Sequence, residues 1–149
     1  MMTKTELIHT WFENLWHRGI ESTIDEILAN DMVMHGLAPE AFHGRDQFRA
    51  FYRAFRASFP TVRVDIPFVL ESGDCAVCQC NVEVIAADGR GPFHFHGSCT
   101  IRVRDGQVVE GWNNFDFLAL LEGMGAIRPD SMAAALASAA SATSEDALA

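Results

Sequence analysis

Three polar residues sit where this sequence could do chemistry. Asp116 follows Trp112 and Asn114 at steps of two, so on a regular strand the three side chains share one face. A carboxylate beside a Trp ring loses part of its hydration, which disfavours the charged form. That suits it to take a proton from carbon and return it, as a general acid/base does. Asp is also a good N-cap, so a second reading has Asp116 starting a turn at Phe117. His35 closes the short apolar run Met32-Val33-Met34. An imidazole there serves as a proton-transfer group or as a half-buried side chain with one backbone partner. Asn114 polarises a carbonyl through its amide or satisfies a neighbouring loop.

Other constellations are weaker. His94 and His96 have a His-x-His spacing used by metal sites, but no further ligand follows at a workable distance, so no metal is expected. His96 is carried instead as a candidate substrate-binding residue. Cys75-x-x-Cys78 puts its two thiols on opposite faces of an extended strand, and no second such pair exists, so the four Cys read as buried small hydrophobes. Gly-x-Ser-x-Gly, Walker and dinucleotide-binding glycine patterns are absent, which removes the commonest hydrolase, NTPase and nicotinamide readings.

The elements that must position these groups follow from periodicity. Thr3 and Glu6 form a capping box that opens a helix running to Arg18 and closing at Gly19. A short second helix spans Ser22 to about Ala29, before the strand Met32–Met34. Arg45 to Phe59 forms a third helix, stopped by Pro60, with Phe48, Phe51, Tyr52, Phe55 and Phe59 at spacings of three and four. Strands are expected over Val62–Leu70, Ala76–Ile85, Pro92–Val103 and Val108–Asp116, then a helical turn from Phe117 to Leu121. Helices first and antiparallel strands afterwards give an α+β fold, with helices over one face of a curved sheet.

Composition narrows the function. The chain has 149 residues, 49% of them hydrophobic, and its 11 Phe can fill a core or line a small-molecule cavity. A net charge of −9 argues against nucleic acid and against anionic membrane surfaces, since both recruit clustered Lys and Arg. Nothing approaches a membrane-spanning apolar run and no secretory signal opens the chain, so a cytoplasmic location is expected. Residues 131–149 hold nine Ala and four Ser with no basic or aromatic residue. One domain over 1–128 and an Ala/Ser-rich flexible tail over 129–149 are therefore expected.

An ordered set of short segments then carries a resemblance. These are Trp11-Phe12 with Leu15-Trp16, His35-Gly36, Gly44-Arg45-Asp46-Gln47-Phe48, Phe51-Tyr52-Arg53-Ala54-Phe55 and Phe59-Pro60. Later come Ile101 to Gly106 and Val109 to Asp116. The chain resembles the SnoaL-like polyketide cyclases and ketosteroid isomerase-related proteins of the nuclear transport factor 2-like superfamily, a cystatin-like architecture. The resemblance implies a cone-shaped α+β barrel whose curved mixed or antiparallel sheet and helices enclose one apolar pocket, usually in a homodimer. It also implies an intramolecular aldol closure without metal or cofactor, with Asp116 at the general acid/base position and His35 at a pocket position. Phe12, Trp16, Phe48, Phe51, Phe55 and Trp112 are expected as pocket walls, with Asn114 beside them. The function expected is a cofactor-free proton transfer on a small apolar carbonyl compound: cyclisation, isomerisation or dehydration. A pocket protein that only binds its ligand is the alternative, and epoxide hydrolysis, recruiting Arg102 with Asp116, a third.

Overall fold

The capping box predicted at the amino end is complete in the computed structural model, which describes residues 1–148, with side chains described through residue 142. Helix α1 (Lys4–Thr10) starts where the Thr3 side chain accepts from the Glu6 N–H and Glu6 Oε2 accepts from the Thr3 N–H at 2.8 Å. From Trp11 to His17 the helix widens into π form instead of continuing as α-helix, and Phe12, Leu15 and Trp16 within it are all buried.

Helix α2 (Thr23–Ile27) ends before Ala29 because Leu28 turns extended and its carbonyl accepts from Arg45 Nε at 2.9 Å. Strand β1 therefore begins early and runs Leu28–His35. A two-residue strand, β2 (Phe42–His43), pairs with it and has no counterpart in the sequence reading. Helix α3 (Arg45–Ser58) buries Phe48 and Tyr52, while Phe51 and Phe55 remain partly exposed. Its aromatic face meets Trp16, with ring centroids 5.1 Å from Tyr52 and 5.5 Å from Phe55.

The single strand expected over Val62–Leu70 is two, β3 (Thr61–Asp65) and β4 (Val69–Ser72). Pro67 falls in the break, where a residue without an N–H cannot continue the ladder. Long strands β5 (Cys75–Ile85), β6 (Phe93–Arg104) and β7 (Gln107–Phe115) follow, then α4 (Phe117–Gly123) and α5 (Ser131–Leu148). The sheet runs β2-β1-β7-β6-β5-β3, with β4 also on β5; β1 and β7 are parallel and the other pairs antiparallel. This mixed sheet curves without closing, and the helices pack on it in an α+β fold.

The core lies between that curve and the helices, built from Leu7, Leu15, Ile24, Phe48, Met32 and Val84 among others. Helix α5 carries the Ala/Ser-rich segment, exposed from Met132 to Ala142. Among the described residues no helix is long and apolar enough to cross a membrane.

Candidate functional site

Strand parity decides which side chains reach the space between sheet and helices. On β6 the odd residues Phe95, Cys99 and Ile101 point inward, and the even residues His94 and His96 are exposed. On β7 the inward residues are Asn113 and Phe115, preceded by Val108. These meet Trp11, Phe12, Trp16, Phe48, Phe51 and Phe55 from the helices around an apolar cavity of about 70 Å³, open to solvent on one side. Empty space of that size costs roughly 2 kcal/mol of lost packing, which an apolar ligand would restore. It is about half the volume of an apolar cavity that holds benzene, so even a single-ring ligand requires the partly exposed rings of Phe51 or Phe55 to move.

The wall is hydrocarbon and ring almost throughout, and Asn113 contributes its one amide. Asn113 is 9% exposed. Its Nδ2 donates to the His35 carbonyl at 3.0 Å and faces Met34 Sδ at 3.0 Å, which fixes the orientation of the amide. Oδ1 accepts nothing from the described residues, yet it is not sealed from solvent. The His35 carbonyl reaches this position because Gly36, at φ +89°, packs its backbone on that of Asn113; a Cβ at residue 36 would lie 1.9 Å from Asn113 O.

Sulfur continues the row across the sheet. Asn113 pairs with Cys99, and Cys99 with Cys78 on the next strand. Cys78 and Cys80 sulfurs are 3.6 Å apart, and Cys78, Cys80 and Cys99 are all buried. The hydrogen bond to Cys78, reinforced by burial, holds the Cys80 and Cys99 thiols well above the ordinary thiol range, so they are protonated and inert.

The residues singled out in the sequence divide into two groups. Phe12, Trp16, Phe48, Phe51 and Phe55 all line the cavity. Trp112 and Asn114 share a face as their spacing requires, but it is the outer one. There Trp112 stacks on His35 (5.6 Å, 18° between planes), and Arg102 Cζ lies 5.2 Å from the Trp112 ring centroid. His35 Nε2 meets Glu110 Oε2 at 2.8 Å, and Glu110 Oε1 accepts from Arg102 at 2.8 Å. This closed ring of His35, Glu110, Arg102 and Trp112 turns the imidazole away from the cavity and occupies Arg102. His96 lies in a separate polar cleft with Glu13, His17 and Glu83. No three His, Cys, Asp or Glu side chains among the described residues are placed to hold a metal ion.

Asp116 sits at the end of β7, between the cavity-lining Phe115 and Phe117. Its Oδ1 accepts from the Ala119 N–H at 3.0 Å, capping α4, and its backbone N–H donates to the His96 carbonyl at 2.8 Å. Oδ2 accepts no hydrogen bond from the described residues.

Asn113 and Glu110 are the groups the sequence reading passed over. The signal for Asn113 was its place two residues before Phe115. The bulge between Arg102 and Val103 shifts the β6–β7 register, and the neighbouring Trp112 drew the inward assignment to the wrong parity.

Comparison with known proteins agrees with this fold. The SnoaL-like domain profile matches residues 8–111. A structure of IdmH, a proposed polyketide cyclase from Streptomyces antibioticus, superposes with TM-score 0.71 at 24% identity, covering 83% of this chain and 99% of that one. A proposed SnoaL-like polyketide cyclase from a Jannaschia species gives 0.72 at 22%, covering 83% and 92%. A protein of ketosteroid isomerase-like fold from Catenulispora acidiphila gives 0.72 at 17%, covering 83% and 95%. Among curated proteins none matches the sequence at a significant level.

Proposed function

Because the chain belongs to the SnoaL-like domain family, we propose that its cavity binds a small apolar carbonyl compound and that the protein catalyses a proton transfer on it. Aldol cyclisation, isomerisation and dehydration all begin with such a step. The observation that carries the reading is an apolar cavity whose wall residues Phe115 and Phe117 flank Asp116 in the chain; Asp116 is not itself a lining residue, and its Oδ2 accepts no hydrogen bond from the described residues. In the proposed mechanism Asp116 Oδ2 takes a proton from the carbon beside a carbonyl. The resulting carbanion attacks a second carbonyl held at about 3–3.5 Å, and the alkoxide recovers the proton from Asp116. The cap from the Ala119 N–H fixes the carboxylate during both transfers. His35 contributes through its main-chain oxygen, which orients Asn113, rather than through its imidazole.

Exchange of α-protons for deuterium in small ketones, from cyclopentanone to acetophenone, tests the chemical step without knowledge of the natural substrate. The wild type accelerates it and Asp116→Asn does not.

A second reading, a pocket protein that binds without catalysis, draws on a different observation: among the described residues no carboxylate or imidazole lines the cavity, and Asp116 already has a structural task as a cap. Exchange at the buffer rate together with ligand binding favours it. The homodimer implied by the family is part of the proposal, and a monomer mass by light scattering at micromolar concentration counts against it.

A further inference from the structure

Asn113 is the one amide in the cavity wall, and its Oδ1 accepts no hydrogen bond from the described residues. Both Nδ2 hydrogens of Asn113 are directed at partners, the His35 carbonyl and Met34 Sδ, each at 3.0 Å. The amide cannot be turned over without facing its oxygen at the His35 carbonyl, so Oδ1 is the atom left for a ligand. Cys99, directly opposite on β6, adds only a buried thiol engaged with Cys78.

A ketone oxygen placed against Oδ1 would set two acceptors together and leave both without a proton. A hydroxyl there completes the amide and keeps its own donor satisfied after leaving water.

We infer that Asn113 Oδ1 anchors the ligand and that the ligand carries a hydroxyl donor, as a phenol, enol or alcohol, distinct from the carbonyl that reacts. The inference rests on the cavity being a ligand site, and it adds a substrate class to that reading: a hydroxylated carbonyl compound, held by its hydroxyl.

Three monocyclic probes of similar size test it: toluene, phenol and benzaldehyde. Their dissociation constants are measured on the full chain by ligand-observed NMR. Wild type is expected to bind phenol at least as tightly as toluene, although a hydroxyl is harder to strip of water, and at least about fivefold more tightly than benzaldehyde. In Asn113→Leu the preference for phenol over toluene falls by about tenfold or more. Wild-type binding of benzaldehyde as tight as that of phenol overturns the inference, whether or not the variant folds, as does a phenol preference that survives in a folded Asn113→Leu. Failure of all three probes to bind overturns the underlying cavity reading instead, so the two failures are separable.

Discussion

Asn113 and His35 are joined across two strands, amide Nδ2 to main-chain oxygen at 3.0 Å, while the His35 imidazole turns to the other side of the sheet and meets Glu110 at 2.8 Å. One residue thus serves both faces: its backbone orients the polar group of the cavity and its side chain closes an outer polar ring. The parallel pairing of β1 with β7 makes this possible, because it sets His35 beside Trp112 and brings Gly36 onto the Asn113 backbone.

Gly36→Ala should therefore be among the most damaging single-methyl changes. Its φ of +89° is strained for a residue with a side chain, and the added Cβ has Asn113 O at 1.9 Å. A loss of at least about 2 kcal/mol is expected, read from urea midpoints. An unchanged midpoint would show that the two strands separate at little cost.

How much of this was legible beforehand depended on local signals. The capping box at Thr3, the aromatic stripe of α3 and the two-faced pattern of β6 each state their own geometry, and the structure follows them. The break at Pro67, the π-helical turns after Thr10 and the early start of β1 depend on tertiary partners, such as Arg45 on the Leu28 carbonyl, that no local window contains. Parity on β7 went the same way. Trp112 is the more apolar residue, but its ring lies between His35 and Arg102 on the outer face, and the amide of Asn113 is the group turned inward.

Thr23→Val should leave stability unchanged or raise it by up to about 1 kcal/mol. Thr23 is 1% exposed and its Oγ1 has no hydrogen-bond partner among the described residues, so the isosteric methyl removes an unmet polar group. Thermal unfolding decides the point, and a drop of several degrees would mean that the hydroxyl has a partner in solution.

Tyr52 gives a pH signature. Its hydroxyl donates to the Leu15 carbonyl at 3.0 Å, and burial pushes its pKa above the usual tyrosine value; nearby Arg56 opposes the rise and Glu21 adds to it. A raised folded pKa means that stability is fully present below the unfolded value near 10 and is lost as pH climbs through the folded one. The wild type should lose more stability between pH 9 and 11 than Tyr52→Phe. Parallel losses in the two proteins would contradict this.

The chain over 1–128 is proposed as the folding unit. Every cavity-lining residue lies within it, and the exposed Ala/Ser face of α5 has little apolar surface to dock. Removing 129–149 should change the melting temperature by no more than about 2–4 °C, the shift that follows from roughly 1 kcal/mol in a domain of this size. A larger fall would assign α5 a packing role.

The central claim is that Asp116 moves protons for a ligand in the cavity. Its most direct measurement is the rate of α-proton exchange in small ketones in D₂O, comparing wild type, Asp116→Asn and buffer, with folding of the variant checked by circular dichroism. The account predicts exchange well above buffer in the wild type and a loss of about a hundredfold or more in a folded Asp116→Asn, in line with the 10²–10⁴-fold usual for general acid–base catalysis. Equal rates in wild type and buffer, or in wild type and Asp116→Asn, would contradict it.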